Sequence, residues 1–351
     1  MSKKTGRATI SDIALASGVS KTTVSRYING RRDLMSDKTG ERIRAVIEMF
    51  NYQPSDIARS LKMKKTNLIG VLVADMTSPF STAIMVSIGD TLAKHGYTPL
   101  FADSADSLEK EIETVNMFRS KDVAGLLVNT TSSANNHLIS VACQGMPVVL
   151  CDRYIENYKF NIVTIENMRS VHSLVEHLKE QGFSRPVLFT ERWENNSSRS
   201  LRREYFIQSV RELYGYDPSG DVFLIAEGPG CSPREQIERL WESLSPGEIP
   251  AVIGVNSVTT ILAYKAIRSL GLRIPQDIGL CGPEDWNWRA EMNWPLLVDP
   301  PITTFSLPAK EMGRQAALLL LKLIDNPSRP PEEIQLACEM RIRLSTLLKK
   351  D

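Results

Sequence analysis

The sequence is poor in the residues that build disulfide frameworks, metal centres and membrane spans. Its five cysteines are scattered, odd in number and contain no Cys-x-x-Cys pair, which favours neither disulfides nor a zinc site. The four histidines are also scattered, and His172 and His177 do not share a helical face well, so we expect both to face solvent. The longest apolar run, residues 316–321, is too short to span a membrane.

Motifs of common catalytic sites are missing as well. There is no GxxxxGK[ST] phosphate loop, no GxSxG elbow and no HExxH metal motif. The pair Gly228 and Gly230 is not followed by the third glycine of a dinucleotide fingerprint, which indicates a turn. The first fourteen residues carry charge but no apolar segment, so we expect no secretory signal. We therefore expect no catalytic residues, no metal, no cofactor and no membrane association.

Charge is distributed very unevenly along a chain that is nearly neutral as a whole. The 351 residues contain 42 Lys and Arg against 41 Asp and Glu. Residues 1–65 hold fourteen of the basic residues and six of the acidic ones, so this segment is +8 and the remainder is −7. Such an asymmetry is typical of a polyanion-binding segment attached to a domain with another function.

The basic segment contains a helix-turn-helix pattern over residues 9–30. Ile13, Ala16 and Val24 belong to an apolar set that two packed helices would share. Gly18 ends the first helix and Ser20 caps the second. The second helix exposes short polar and cationic side chains suited to phosphates and base edges, namely Lys21, Thr22, Thr23, Ser25, Arg26 and Asn29. The plain alternative is a helical hairpin with a solvated polar face.

A third helix and a short connector are predicted to follow. Residues 37–50 place Ile43, Val46 and Phe50 at helical spacing, which would close the core of a small three-helix domain. Residues 54–61 form a short helix candidate flanked by cations, too short to be stable alone. We expect it to form on DNA or against a second copy of itself.

From Leu68 onward, short apolar strands alternate with helices. This rhythm predicts parallel sheets covered on both faces, and its length favours two lobes. Ligands of such sheets bind at the carboxyl ends of the strands, so the cleft between the lobes is the expected small-molecule site. Polar groups follow the predicted strands there: residues 75–81, 152–153, 195–198 ahead of Arg202, Asn256, and residues 284–288. The set suits a polyhydroxylated ligand, including an acidic one.

Taken together, these stretches resemble the LacI/GalR family of bacterial transcription regulators. The resemblance is carried by TISDIALASGVSKTTVSRYINGR, YQPSDIARSLKMKKTNLIGVLV, VAGLLV, MPVVLCDR, RIPQDIGLCG and PPITTF, in the order of the family. It implies an α-helical helix-turn-helix headpiece, a hinge helix and an α/β core. The core would consist of two doubly wound parallel-sheet lobes like those of periplasmic binding proteins. It also implies a homodimer on palindromic operator DNA, controlled by a small effector.

The resemblance assigns roles to individual positions. Lys21, Thr22 and Arg26 would face bases of the major groove, whereas Ser20, Thr23, Ser25 and Asn29 would contact or approach phosphates. Leu61 matches the hinge leucine that wedges into the minor groove, and Lys62 follows it. Effector contacts would come from Phe80, Ser81, Arg153, Ser198, Arg202, Asn256, Glu284, Asp285 and Trp286.

Two features distinguish the chain from the usual family pattern. Where the family has an aromatic residue and Asp, this chain has Pro283 and Glu284, so the carboxylate is one methylene longer or Asp285 replaces it. This region is most similar to regulators of sugar-acid catabolism, the ketodeoxygluconate-regulator type. Arg153 and Arg202 would suit an anionic sugar acid, although arginines also occur in neutral-sugar pockets. The chain also has no terminal heptad repeat, so we expect a dimer.

The predicted domains are a headpiece (1–53), a hinge helix and linker (54–67) and an effector-binding and dimerisation core (68–351). Within the core, the first lobe would comprise about 68–166 plus 302–328, and the second about 167–301 plus 329–346. We expect a cytoplasmic, nucleoid-associated regulator of carbohydrate or sugar-acid catabolism, and we expect it to act as a repressor. Its effector would be a sugar, sugar acid or sugar phosphate. The alternatives are a sugar solute-binding protein without DNA function and an enzyme of sugar metabolism.

Overall fold

The computed structural model describes residues 8–28, 30–50, 52, 66–226, 228–283 and 293–348. The chain divides into a small unit, Met1–Thr66, and a large one, Asn67–Asp351. Among the helices described, none is both long enough and apolar enough to cross a membrane. The predicted hinge helix at 54–61 lies outside the described residues.

The described part of the small unit is a bundle of three helices. They are α1 (Ile10–Ser17), α2 (Lys21–Ile28) and α3 (Asp37–Met49). Thr9 and Asp12 form a capping box that satisfies free backbone N–H groups at the start of α1. Gly18 ends α1 with a φ of +64°, a left-handed conformation that glycine adopts without strain. Ser20 Oγ accepts from the Thr23 N–H at 3.1 Å, so the predicted cap of α2 is confirmed.

The core of the small unit is formed by one apolar side of each helix. Ile13, Val24 and Ile43 are fully buried, and Val46 packs beside them. Two residues that the sequence pattern placed in this core are exposed, Ala16 and Phe50. Ala16 lies on the outer side of α1, and Phe50 is the first residue after α3, where the chain turns away from the helix axis.

The large unit contains two six-stranded sheets. The first sheet has the strand order β11-β5-β4-β3-β1-β2. Its strands are β1 (Leu68–Val73), β2 (Thr98–Asp103), β3 (Gly125–Val128), β4 (Val148–Cys151), β5 (Asn161–Ile165) and β11 (Glu333–Leu336). All of its pairings are parallel. The order reverses between β1 and β3, which opens a crevice at the carboxyl ends of these strands.

The second sheet repeats this topology with the order β7-β6-β8-β9-β10-β12. Its strands are β6 (Arg185–Thr190), β7 (Val222–Leu224), β8 (Pro250–Gly254), β9 (Gly279–Pro283), β10 (Thr303–Ser306) and β12 (Glu339–Arg341). Only the terminal pair, β10 with β12, is antiparallel among the pairings described. The central strands are buried on both faces, as their continuous apolar sequences predict.

Within the described ranges, eight helices cover the two sheets. They are α4 (Pro79–Lys94), α5 (Leu108–Ser120), α6 (Asn136–Cys143), α7 (Asn167–Glu180), α8 (Ser197–Tyr214), α9 (Pro233–Glu242), α10 (Ser257–Ser269) and α11 (Ala309–Asp325). α11 packs against α4 in the first lobe, and α7 packs against α8 in the second. Gly254 and Gly282 let α10 approach the second sheet closely, because a Cβ at either position would lie about 2 Å from Thr260 Oγ1.

The lobe boundaries predicted from the sequence were wrong at two strands. β10 was assigned to the first lobe, but Thr303 pairs with Cys281 in the second sheet. β11 was assigned to the second lobe, but Glu333 pairs with Ile162 in the first. The chain therefore crosses between the lobes at three places, near residues 166, 307 and 337.

Candidate functional site

The polar side of α2 is the predicted DNA-contacting surface of the small unit. Lys21, Thr22 and Arg26 are exposed there, whereas Val24 of the same helix is fully buried. Thr23 and Ser25 are half-buried, and Ser20 is exposed at the cap. α2 thus separates an apolar side that holds the bundle together from a cationic and hydroxyl-bearing side. Three further predicted DNA-contacting residues, Asn29, Leu61 and Lys62, lie outside the described residues.

The predicted ligand site is a cleft of about 230 Å³ between the lobes of the large unit. Both sheets contribute through the loops that follow their strands, as their shared topology predicts. Six predicted effector-binding residues line this cleft together: Phe80, Ser81, Arg153, Ser198, Arg202 and Asn256. The other three, Glu284, Asp285 and Trp286, follow directly after β9 and lie outside the described residues.

Arg202 is the most deeply buried cation of the cleft, with 6% of its surface exposed. Its Nε donates to Asn167 Oδ1 at 3.1 Å and its Nη1 donates to the Val255 carbonyl at 2.8 Å. The guanidinium also lies 6.0 Å from the ring centroid of Phe305. These partners are neutral, and no carboxylate of the described residues lies within 4.0 Å of Arg202. A buried charge normally requires an opposite charge, so this cation is suited to an anionic ligand.

Asp152 is a buried carboxylate at the end of β4 that connects the lobes. Its Oδ2 accepts from Ser198 Oγ at 3.0 Å, across the cleft. Its Oδ1 is buried and has no hydrogen-bond partner among the described residues. The backbone φ of +66° is unusual for a residue other than glycine and marks a constrained position. The free oxygen is an acceptor for a hydroxyl group, since a buried acceptor without a donor is costly.

Three further residues form a polar cluster on the second-lobe wall of the cleft. Glu191 Oε2 accepts from Arg199 Nη2 at 2.7 Å and from Asn256 Nδ2 at 2.5 Å. Burial lowers the pKa of Arg199, and the charge of Glu191 opposes that shift. Asn256 Oδ1 also accepts from the Thr259 N–H at 2.9 Å, so the same side chain caps α10 and faces the cleft. The cluster fixes Asn256 in one orientation.

The remaining predicted cation, Arg153, is held by the first lobe. Its Nη1 donates to Asp106 Oδ1 at 3.3 Å and to the Thr130 carbonyl at 3.1 Å. Asp106 is half-exposed, so water screens this ion pair and it stabilises the fold little. Arg153 can therefore exchange this partner for a ligand at small cost.

Hydrogen bonds join the two lobes beside the cleft. The Ser133 N–H donates to the Asn195 carbonyl at 3.1 Å, and the Tyr154 N–H donates to Ser197 Oγ at 2.9 Å. With the bond between Ser198 and Asp152, they connect the start of α8 to loops of the first lobe. A change in the angle between the lobes would break this set together.

Sequence reasoning missed several residues of the cleft, and among them are Asp106, Asn129, Glu191 and Arg199. Asn129 and Glu191 come directly after β3 and β6, so the rule that found Asp152 would have found them too. Arg199 lies three residues before Arg202 on α8 and therefore on the same side of the helix.

The prediction that both His172 and His177 face solvent was wrong. His177 is buried, and its Nε2 lies 2.8 Å from Thr346 Oγ1 of the C-terminal segment. Burial lowers its pKa, so the neutral ring is favoured. Within the described part of the chain, no group of His, Cys, Asp and Glu side chains is arranged to hold a metal ion.

A helix-turn-helix unit together with a two-lobed α/β unit and a polar cleft defines a ligand-responsive DNA-binding regulator. Two family models match the chain: "Bacterial regulatory proteins, lacI family" over residues 9–55, and "Periplasmic binding protein-like domain" over residues 175–346. The chain is 33% identical to the HTH-type transcriptional regulator KdgR of Bacillus subtilis, over 98% of this chain and 99% of that protein. It is 32% identical to the HTH-type transcriptional regulator PtxS of Pseudomonas aeruginosa, over 97% and 96% respectively.

A solved structure shows the same fold. The lac repressor dimer bound to operator and the anti-inducer ONPF superposes with a TM-score of 0.83 at 22% identity, covering 98% of this chain and all of that one. The chain belongs to the LacI family of bacterial regulatory proteins. It is a DNA-binding transcriptional regulator and not an enzyme. The predicted fold class and regulatory function are confirmed, and the solute-binding and enzymatic alternatives are set aside.

Proposed function

We propose that this regulator is a dimeric repressor of sugar-acid catabolism whose cleft binds a hydroxylated carboxylic acid. The observation that carries the proposal is the presence of Arg202 and Asp152 in the same cleft, each with unmet bonding capacity. Arg202 is a buried cation with neutral partners, and Asp152 Oδ1 is a buried acceptor without a donor. A carboxylate would satisfy the first and a hydroxyl group the second. A sugar acid carries both groups in one small molecule.

The other predicted effector-binding residues have supporting roles in this proposal. Phe80 offers an apolar surface at the start of α4, and Ser81 and Asn256 offer hydrogen bonds. Arg153 would provide a second cation after leaving Asp106. Glu284, Asp285 and Trp286 follow the carboxyl end of β9, the kind of position from which such loops reach a ligand. They remain predicted contacts.

Operator recognition is proposed to follow the family pattern. Lys21, Thr22 and Arg26 would contact base edges, because they lie on the exposed side of α2. Ser20, Thr23, Ser25 and Asn29 would contact phosphates. Leu61 and Lys62, in a hinge spanning residues 54–67, would enter the minor groove. Such binding to a near-palindromic operator requires a homodimer and is expected in the cytoplasm, at the nucleoid.

The effector would act by shifting a conformational equilibrium. Ligand in the cleft changes the free energy of the closed arrangement, and the lobes carry that change to the hinge helices of the dimer. This scheme separates two kinds of residue. Leu61→Ala should weaken operator binding strongly and leave effector affinity nearly intact, whereas Arg202→Ala should do the reverse. Equal loss of both functions in either variant would refute the separation.

Calorimetric titration of the full-length protein tests the ligand class. D-glucuronate, D-gluconate and 2-keto-3-deoxygluconate are compared with neutral D-glucose, in the wild type and in Arg202→Ala. We expect at least one acid to bind, D-glucose not to bind, and Arg202→Ala to lose the acid. Arg211→Ala is the matched control, because Arg211 is an exposed arginine of the same helix. Binding of D-glucose alone would contradict the proposal.

A further inference from the structure

A second and larger cavity, of about 950 Å³, lies outside the cleft described above. Residues of β4, β5 and β11 in the first sheet line one side of it. The loop of residues 152–160 covers part of this face, and α7 and α8 of the second lobe form the opposite wall. On β11, Glu333 and Gln335 are exposed and line the cavity, whereas Ile334 and Leu336 point into the core. The cavity thus has walls from both lobes.

Aromatic side chains form much of the wall. Tyr154, Tyr158, Phe160 and Tyr205 all line the cavity. Tyr158 and Phe160 pack with their ring centroids 4.6 Å apart at an interplanar angle of 60°. Phe160 is almost fully buried, whereas Tyr158 is 37% exposed and accessible from solvent. Aromatic faces of this kind provide both apolar contact and a negative quadrupole surface.

The charges of the wall favour a cation. Four glutamates line the cavity, Glu166, Glu212, Glu332 and Glu333, against two cations, Lys159 and Arg169. Arg169 pairs with Glu166 at 3.4 Å and its side chain is 78% exposed, so its charge is directed towards solvent. Glu332 is paired with Arg329. Apart from the tyrosines, the other titratable group of this wall is His172. Its Nδ1 lies 3.3 Å from Ser209 Oγ.

Two carboxylates of the wall have no ion pair among the described residues, although one of them, Glu333, accepts from Gln335 Nε2 at 2.7 Å. Glu212 comes from α8 of the second lobe and Glu333 from β11 of the first. Among the described residues, neither has a Lys or Arg nitrogen within 4.0 Å. We propose that this cavity is a second ligand site, for an organic ammonium ion with an aromatic or apolar body. The ammonium group would lie between Glu212 and Glu333, with its body against Tyr158 and Tyr205.

The proposed site is chemically opposite to the cleft, and one hydrogen bond connects a residue of its wall to a residue of the cleft. The cleft offers a buried guanidinium, whereas the cavity offers carboxylates and aromatic faces. Asn167 lines the cavity, and its Oδ1 accepts from Arg202 Nε at 3.1 Å. The proposal does not depend on the sugar-acid assignment, because it uses different residues and a ligand of opposite charge.

Three probes that share a phenyl ring and differ in charge test the proposal on the full-length protein. They are benzyltrimethylammonium, benzyl alcohol and benzoate, each titrated by calorimetry and by saturation-transfer NMR. We expect the ammonium ion to bind at least fivefold more tightly than the alcohol, and benzoate to bind no better than the alcohol. Equal affinity of all three probes would overturn the proposal. So would the absence of ammonium binding at roughly 10 mM, a concentration 10 times the dissociation constant expected for a weak site.

Variants locate the bound probe. Glu212→Gln combined with Glu333→Gln should weaken the ammonium ion at least fivefold, and Tyr158→Ser should weaken it as well. Both glutamates and Tyr158 are exposed, so these variants should fold like the wild type. Glu176→Gln, an exposed carboxylate of α7 away from the cavity, is the control and should change nothing. Loss of binding in Asp152→Asn, with no effect of the Glu212 and Glu333 variant, would place the probe in the cleft and refute the second site.

Discussion

Ser198 Oγ donates a hydrogen bond to Asp152 Oδ2 at 3.0 Å, and this bond joins the two lobes directly across the cleft. Ser198 lies in the first turn of α8 in the second lobe, and Asp152 directly follows β4 of the first. Both side chains are more than nine-tenths buried. The helix N-terminus favours the negative charge of Asp152, which strengthens the contact. Ligand binding and lobe closure therefore depend on the same pair.

Replacing Ser198 should weaken the ligand without unfolding the protein. Ser198→Ala removes the donor and leaves Asp152 with two unpaired oxygens, which costs about 1–3 kcal/mol in the closed arrangement. Calorimetry should find sugar-acid affinity reduced by about tenfold. Ser200→Ala is the control, since Ser200 donates to Trp193 of its own lobe. A larger loss of affinity in Ser200→Ala than in Ser198→Ala would show that the bond between the lobes is not what matters.

A buried carboxylate in the first lobe should give its stability a pH dependence. Glu111 is fully buried and accepts from Thr130 Oγ1 at 2.7 Å, from Thr131 N at 2.7 Å and from Asn135 Nδ2 at 2.5 Å. Burial raises its pKa, and the bonds from Thr130 and Thr131 oppose the shift. The folded state thus holds the Glu111 proton more tightly than the unfolded state. This contribution is present at low pH and is lost as the pH rises through the folded pKa.

Glu111→Gln removes that proton equilibrium. Chemical denaturation between pH 4 and 8 should show the wild type losing stability relative to the variant as the pH rises. The loop that Glu111 holds also carries the Thr130 carbonyl, which accepts from Arg153 in the cleft. If the wild type instead gains stability relative to Glu111→Gln as the pH rises, the folded protein stabilises the charged form of the Glu111 carboxylate.

The helical unit should be destabilised separately from the large unit. Ile43 is fully buried in a core built only from residues of the small unit. Ile43→Ala should cost about 2–5 kcal/mol, which is most of the stability of so small a domain. Titration calorimetry should show loss of operator binding. Scanning calorimetry should show an unchanged melting temperature for the main unfolding transition, which comes from the large unit. Leu15→Ala, at a residue 84% exposed, should change stability by less than about 0.5 kcal/mol. A lower melting temperature of the main unfolding transition in Ile43→Ala would contradict the separate unfolding of the two units.

An exposed apolar patch on the first lobe is the expected dimer contact. Met76, Val86 and Phe101 are 36–56% exposed and line a shallow cavity of about 410 Å³. Phe101 lies on β2, the edge strand of the first sheet. Val86→Asp would bury a charge in such a contact and should convert the dimer to a monomer in sedimentation analysis. Val86→Thr, which keeps the shape, should remain a dimer. A dimeric Val86→Asp would exclude this patch.

Local chemistry made much of the site predictable from the sequence. Gly18 and Ser20 are a helix stop and a helix cap, and both act within a few residues of chain. Ser81, Arg153 and Asn256 were found because polar residues after buried strands meet at one edge of a parallel sheet, and Phe80 lies next to Ser81 in the same stretch. That rule needs only strand positions, which the apolar runs supplied.

The predictions that failed concern residues whose contact partners are distant in the sequence. Whether β11 belongs to one lobe or the other is decided by pairing with Ile162, 171 residues earlier, and no local pattern records that choice. β5 itself was missed, because five residues after a long loop give a weak signal. His177 was placed on the surface because the C-terminal segment that covers it is remote in sequence.

The most direct test of the account is operator binding with and without a sugar acid, in the wild type and in Arg202→Ala. An operator fragment selected from random DNA is titrated with full-length protein and followed by fluorescence anisotropy. We predict that a saturating acid changes the operator Kd at least tenfold in the wild type, a coupling of about 1.4 kcal/mol. Arg202→Ala should bind operator normally and show less than a twofold change. If the acid has no effect on the wild type while a neutral sugar does, the account of an anionic ligand held by Arg202 is wrong.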